Sequence, residues 1–385
     1  MKILISCGEP SGDLYAGALA REIRTLDPSA YVYGLGGPRF HEGGAELVED
    51  YHGLAATGLT EALAVLPRWL AIYRRLVRLA RAERPDVFVP IDFPELNFRL
   101  AGALHSLGVP VVYYVCPQVW AWRRGRLRTI KRFARRALVI FPFEEEIYRQ
   151  SGIPVEFVGH PLLELCQTSS EDDDFFRTNG LEPGAPTVAL LPGSRPNEIR
   201  AILPTLVHAM AIIRSCVAKV QFVVARAPNL DDSLFASLAQ LVGTGRGVVV
   251  VESRTDDVLA AVDVVVTASG TATVQTAIHG RPMVIVYRLS PFTYRVVRRF
   301  AHVDAIGMVN VIAREKIVPE LVQDAFTPQA VSDEVVSFLH DPGRAERTRT
   351  ELGRVRESLG TPGATRRAAE AVLREARAAQ VPPVS

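Results

Sequence analysis

The sequence predicts an α/β protein built from two Rossmann-like, doubly wound domains facing a cleft, and three observations predict it. Short β-branched apolar runs alternate with helical stretches from the first residues onward. The alternation lapses into a solvated acidic stretch, Gln167 to Asp174, and then restarts. Several of the runs end in turns rich in glycine and small residues, as strands do where a parallel sheet meets a ligand. The expected layout is a first domain over 1–165, a second over 175–350, and helices over 351–385 that return to the first domain or to a partner subunit.

Element by element, Lys2–Ser6 reads as the first strand, followed by the turn Gly8-Glu9-Pro10-Ser11-Gly12-Asp13 and a helix to about Leu26. Tyr31–Leu35, Asp86–Ile91, Pro110–Val115 and Ala137–Phe141 are further strands. In the second half the strands are Thr187–Leu191, Val220–Val224, Val248–Val251, Asp263–Thr267 and Pro282–Tyr287. Arg366 to Ala379 reads as a closing helix before a Pro-Pro tail.

A chain of 385 residues that is 48% hydrophobic can build more than one core. Its formal net charge of +2 favours neither nucleic acid nor an acidic partner. Cys7, Cys116, Cys166 and Cys216 are widely spaced without a C-x-x-C pair, so spacing indicates neither a zinc site nor a disulfide framework. Met1 leads directly into a strand, with no signal-peptide layout, and no apolar run approaches the roughly 18 residues of a spanning helix. The expectation is a protein of the reducing cytoplasm, soluble or peripheral to a membrane.

The pattern centres on Ser269-Gly270-Thr271-Ala272-Thr273, which is expected to join a strand to a helix and to leave backbone N–H groups at the positive end of a helix dipole. An ordinary N-cap by Ser269 or Thr271 is the plainer reading. A second turn of the same type, Gly193-Ser194-Arg195, follows another strand and adds a guanidinium. Two such turns in one half suggest a diphosphate flanked by a sugar or nucleoside. The Gly8–Asp13 turn is not a dinucleotide fingerprint. Its Glu9 and Asp13 suit hydroxyl or amide groups, and a tight loop capped by Ser11 or Asp13 explains it equally well. Asp92, at the end of a strand, is a candidate general base with Glu95 as a second, against the alternative of a helix cap.

Two stretches fit a membrane surface. Over Pro67–Leu79, Leu66, Trp69, Leu70, Tyr73, Leu76 and Val77 recur at helical spacing among Arg68, Arg74, Arg75, Arg78 and Arg81. A helix packed on a sheet has the same pattern. Trp120–Arg136 gathers Arg123, Arg124, Arg126 and further basic residues behind two tryptophans, which fits anionic head groups or a phosphorylated substrate. Nucleic acid would match that run locally, but neither the net charge nor any binding module supports it.

Read together, these segments resemble the lipid-A-disaccharide synthases, glycosyltransferases of the two-Rossmann-domain (GT-B) type. The resemblance runs from about Lys2 to Glu375 and rests on GEPSGD (8–13), GLGGPRF (34–40), PDVFVPIDFPELN (85–97), YYVCPQVWAWR (113–123), FPFEEEIY (141–148), FVGHPL (157–162), LLPGSRPNEI (190–199), ASGTATVQTA (268–277), PMVIVYR (282–288) and VNVIAREKIVPELVQ (309–323). It implies that UDP-2,3-diacylglucosamine donates its sugar to the 6-hydroxyl of 2,3-diacylglucosamine 1-phosphate with inversion. The products are the lipid A disaccharide 1-phosphate and UDP. It further implies no metal or other cofactor, a peripheral position on the cytoplasmic face of a Gram-negative inner membrane, and a homodimer formed through C-terminal regions. Asp92 takes the role of base. By the same resemblance Gly193, Ser194, Arg195, Ser269, Gly270, Thr271, Ala272, Thr273 and Gln275 are expected to hold UDP. Gly8, Glu9, Ser11, Gly12, Asp13 and Asn310 line the acceptor side or cleft.

The chain departs from the family pattern at three of these places. Glu95 stands where Asp is usual, Gln275 where a Glu usually holds the ribose hydroxyls, and Cys116 where Ser is usual. A neutral Gln275 predicts weaker nucleotide binding. Alternative readings are another GT-B UDP-N-acetylglucosamine enzyme, a murein-type transferase or a 2-epimerase, and a non-catalytic lipid- or nucleotide-binding relative.

Overall fold

The structure is a computed structural model that describes residues 1–54, 59–118, 125–168, 172–228, 230–238, 241, 247–288 and 305–380, with the side chains of 59–64, 172 and 173 excepted. The chain forms two compact units, Met1–Pro161 together with the chain from Leu359 on, and Leu162–Ser358. The break falls just after Pro161 and not in the acidic Gln167–Asp174 stretch. The short Leu162–Leu165 helix already packs on the Thr271–Ile278 helix of the second unit, and Leu162 is buried there.

In the first unit seven parallel strands lie in the order β3-β2-β1-β4-β5-β6-β7. They are β1 (Lys2–Ser6), β2 (Tyr31–Gly36), β3 (Glu46–Asp50), β4 (Val87–Pro90), β5 (Val111–Tyr114), β6 (Ala134–Val139) and β7 (Val155–Phe157). The central strands are apolar throughout because helices cover both faces, the usual condition of a parallel sheet. One face packs under the Leu59–Glu83 and Pro94–Ser106 helices through Ile72, Leu76, Leu96, Leu100 and Leu104. Against the Pro10–Leu26 helix lies the closing Ala364–Gln380 helix, which belongs to this unit.

Strand β6 begins three residues earlier than the hydropathy pattern suggests, at Ala134, and carries Arg135 and Arg136 within it. Glu375 of the closing helix makes this possible. Its nearly buried carboxylate accepts from Arg135 Nε at 2.6 Å and from Arg136 Nε at 2.7 Å. Burial alone would raise the Glu375 pKa, but the bonds from Arg136 and Arg135 hold it below the ordinary value.

In the second unit six parallel strands lie in the order β10-β9-β8-β11-β12-β13. They are β8 (Thr187–Leu191), β9 (Gln221–Arg226), β10 (Val248–Glu252), β11 (Val264–Ala268), β12 (Met283–Tyr287) and β13 (Glu320–Val322). Cores form on both faces. The Pro196–Cys216 helix is the one helix among the described residues long and apolar enough to cross a membrane by length and composition. Ile199, Ile202, Leu203, Leu206 and Met210 nonetheless pack in this unit's core.

Each sheet reverses strand order once, between β1 and β4 in the first unit and between β8 and β11 in the second. At such a reversal, the helices after neighbouring strands leave toward opposite faces and open a crevice at the strands' carboxyl ends. The Gly8–Asp13 turn follows β1 and Asp92 follows β4. The Gly193–Arg195 and Ser269–Thr273 turns follow β8 and β11 in the same way. Topology thus places every one of these turns at a switch point.

Candidate functional site

In the first unit, β4 ends in a backbone that few sequences tolerate. Asp92 (φ 43°) and Phe93 (φ 47°) are both left-handed. Asp accepts that conformation moderately well, but Phe does so only when its surroundings impose it. Those surroundings are visible. Buried Asn97 donates its amide to the carbonyls of Ser6, Ile91 and Asp92 at 3.1, 3.2 and 2.8 Å. Ser6 Oγ donates to Asn97 Oδ1 at 2.7 Å, and Tyr113 Oη donates to the Asp92 carbonyl at 2.9 Å. Burial, and next the charge of Asp92, raise the Tyr113 pKa well above its ordinary value, so the phenol remains a donor. Sequence reasoning assigned no role to Asn97 or Tyr113. The only signal was an asparagine on the helix that opens just after the strand.

The first glycine of the Gly8–Asp13 turn is required by this arrangement. A Cβ on Gly8 would lie 2.2 Å from Phe93 Cδ1, and one on Gly12 would press on Cys7 Cβ at 3.1 Å. The structure therefore brings Gly8, Gly12 and the Asp92 turn together, with Glu9 and Ser11 partly exposed beside them. Asp13 is a correction. It is 2% exposed, and its carboxylate accepts from the N–H groups of Gly37 (2.7 Å), Arg39 (3.0 Å) and Phe40 (3.0 Å). It caps the Pro38–Glu42 helix and faces no ligand. Burial raises its pKa, against the lowering effect of those three bonds.

Beside this turn an apolar groove of about 450 Å³ runs between the Leu59–Glu83 and Pro94–Ser106 helices. Trp69, Leu70 and Tyr73 form one wall, and Glu95, Phe98 and Gly102 are among the residues of the other. Trp69 is held by an Nε1–H bond to the Leu54 carbonyl at 3.1 Å and stands edge-on to Phe93, 5.6 Å between centroids. Leu76, expected at a membrane, is 0% exposed in the core, because Ile72, Leu76 and Ala80 form the stripe that meets the sheet. Arg74, Arg78 and Arg81 are exposed on the same helix. Arg126 reaches the groove's rim, over the Phe98 ring at 5.3 Å and 4.0 Å from the Glu95 carboxylate. Arg123, Arg124 and Trp120 lie outside the described residues.

In the second unit the two turns differ. The helix Thr271–Ile278 starts with no side-chain cap, and a Cβ on its exposed N-cap Gly270 would meet nothing within 4 Å. Ser269 Oγ donates to the Ile306 carbonyl at 3.0 Å, and Thr273 Oγ1 to the Gly270 carbonyl at 2.8 Å. Both hydroxyls are thus directed to backbone carbonyls. Thr271 and Ala272, in the first turn of the helix, are partly exposed, the arrangement in which a helix N-terminus can receive an anion.

The Gly193–Arg195 turn is satisfied internally, contrary to the expectation of open donors. Glu198, in the first turn of the Pro196–Cys216 helix, accepts from Ser194 N at 3.1 Å, Arg195 N at 3.3 Å and Arg195 Nη1 at 3.2 Å. An anion there would have to displace that carboxylate. Asn310 is a second correction. It is 1% exposed, its amide donates to Val318 O and Glu320 Oε1, and its Oδ1 accepts from Ile317 N and Val318 N. These four bonds serve the Ile317–Val318 loop and the first residue of β13, so it lines no open site. Burial, and next the charge of Asp256, raise the pKa of the Cys166 thiol, and Gln275 acts in the opposite direction.

Two doubly wound parallel sheets with functional turns at their switch points define the GT-B class of glycosyltransferases and UDP-sugar epimerases. Among solved structures, the UDP-GlcNAc 2-epimerase from Neisseria meningitidis bound to UDP-GlcNAc matches 97% of this chain and 100% of its own, with a TM-score of 0.71 at 11% identity. The glycotransferase of kitacinnamycin matches 97% and 98%, with a TM-score of 0.63 at 19% identity. These likenesses establish the fold.

The sequence is more specific. The family model described as lipid-A-disaccharide synthetase matches residues 3–374, and the chain belongs to that family. A lipid-A-disaccharide synthase from Geobacter sulfurreducens is 40% identical over 372 residues, covering 97% of this chain and 96% of its own length. One from Myxococcus xanthus is 41% identical over 372 residues, covering 97% of each.

Proposed function

We propose that this chain transfers the sugar of UDP-2,3-diacylglucosamine to the 6-hydroxyl of 2,3-diacylglucosamine 1-phosphate, giving the β-1,6-linked disaccharide 1-phosphate and UDP. The observation that carries the reading is family membership over almost the whole chain, joined to a carboxylate on a strained switch-point turn. In this reading Asp92 removes the proton of the acceptor hydroxyl as that oxygen attacks the anomeric carbon. Asn97 and Tyr113 hold the Asp92 backbone so that the carboxylate is pre-positioned. As the bond to UDP breaks, negative charge grows on the β-phosphate. The first turn of the Thr271–Ile278 helix faces it, and Arg195 adds its guanidinium on leaving Glu198. No step in this reading uses a metal.

The groove walled by Trp69, Leu70 and Tyr73 suits an acyl chain of either substrate, since it is apolar and lies next to Glu95 and Leu96, just beyond the base. The exposed Arg74, Arg78 and Arg81 on the same helix support contact with anionic lipid on the cytoplasmic face of the inner membrane. The homodimer rests on the family resemblance.

Acceptor-dependent UDP release tests the reading. UDP should appear from UDP-2,3-diacylglucosamine only when the monosaccharide phosphate is present, together with the disaccharide. UDP-sugar conversion without acceptor would point to epimerase chemistry, and UDP binding without turnover to a binding protein.

A further inference from the structure

Cys166, Asp256 and His279 are far apart in the sequence and belong to no part of the proposed reaction. The second unit gathers their ligating atoms within 4.8 Å of one another. Each comes from a different packed segment. Cys166 follows the Leu162–Leu165 helix and donates its N–H to the Leu162 carbonyl at 3.0 Å. Asp256 lies in the first turn of the Thr255–Ala261 helix. His279 is the C-cap of the Thr271–Ile278 helix, where its N–H bonds to the Gln275 carbonyl at 3.1 Å. His279 Nε2 and Asp256 Oδ1 are 2.9 Å apart, so imidazole and carboxylate already converge on one point. Both side chains are largely shielded, at 12% and 21% exposure.

We propose that Cys166 Sγ, His279 Nε2 and the Asp256 carboxylate form a binding site for a borderline-soft divalent cation of the zinc type. The donor set is one thiolate, one imidazole and one carboxylate, which suits Zn²⁺ and not the oxygen-seeking Mg²⁺ or Ca²⁺. Around a tetrahedral zinc, neighbouring donors stand about 3.3–3.6 Å apart. To reach that size the His279–Asp256 pair, now 2.9 Å apart, opens by about half an ångström and the sulfur, within 4.8 Å of both, draws in. Three protein donors leave a fourth position, which water fills. Charge balances as well. Binding releases the thiol proton to solvent, and the resulting thiolate and carboxylate together neutralise the dication. The positive charge of Arg356 acts on the Cys166 thiol less than burial and Asp256 do.

The cation would cross-link the Leu162–Leu165, Thr255–Ala261 and Thr271–Ile278 helices. Its place is structural. It sits at the C-terminal end of the Thr271–Ile278 helix, away from that helix's first turn.

The test uses the full-length protein, stripped by a chelator under reducing conditions and titrated with Co²⁺ as a spectroscopic stand-in. The proposal expects one equivalent of Co²⁺ to give a thiolate-to-metal charge-transfer band with the strong visible bands of tetrahedral cobalt, both erased by Zn²⁺. Cys166→Ser should abolish the charge-transfer band, and His279→Gln should weaken Co²⁺ binding at least about tenfold. Cys216→Ser, which alters the exposed cysteine, should leave the titration unchanged. Absence of the band in wild type would overturn the proposal. So would a band that survives Cys166→Ser or disappears in Cys216→Ser. Circular dichroism of each variant separates lost ligation from lost folding.

Discussion

The two units share a topology and differ in what the chain does on leaving the switch-point strands. After β4 the backbone turns through two left-handed residues and presents a carboxylate, pinned from below by Asn97 and Tyr113. After β11 it passes directly into an uncapped helix and presents bare N–H groups. A parallel sheet reversing its order supplies a crevice in both cases. The residues at the strand end then decide whether that crevice is offered a carboxylate or backbone donors. The neighbouring turns repeat the contrast. Gly8 lets a ring pack against the backbone, whereas Gly193 lies against Glu198, which takes the donors of its own turn.

Variants that leave the base in place can sharpen this comparison, and the largest effect is expected at Leu76. Leu76→Ala should destabilise the first unit by about 2–5 kcal/mol, as core truncations do, measured by urea unfolding. A membrane-contact residue would leave unfolding unchanged and reduce only vesicle binding. Next is Thr271→Pro, which deletes one N–H at the first helical position, where proline is tolerated. UDP affinity should fall about tenfold or more by calorimetry, the value of a hydrogen bond to a charged group. An unchanged affinity would remove that helix terminus from the diphosphate site.

The smallest expected effect is a pH dependence at the closing helix. The pKa of Glu375 is lowered in the folded state, so its contribution to stability is present above the unfolded carboxylate value and is lost as pH falls through the folded one. Unfolding of wild type and Glu375→Gln should therefore differ by about 1 kcal/mol near neutrality and converge in acid. A gap that stays constant with pH would assign the helix's docking to packing alone.

Much of this was legible in the sequence because the signals are local. Runs such as Val264-Val265-Val266-Thr267 mark buried strands, and glycine with small residues marks the turns after them. Side-chain direction was not legible, since it depends on partners distant in the chain. Asp13 and Asn310 are polar residues in ligand-like motifs that face the backbone of Gly37–Phe40 and of Ile317–Val318. Leu76 carries the same periodic signal whether its face meets a sheet or a bilayer, and only packing decides. Strand β13, three residues of mixed character, has too little pattern to be seen. Cysteine spacing could not show that Cys166 meets His279, because the fold and not a motif joins them.

The division of labour between the two units is tested most directly by Asp92→Asn, assayed for turnover and for UDP binding in the same preparation. The substitution keeps the side chain's size and removes its basicity. The account predicts that kcat for acceptor-dependent UDP release falls at least about a hundredfold while the Kd for UDP stays within about twofold. Turnover close to wild type, or a loss of UDP affinity that accounts for the lost rate, would contradict it.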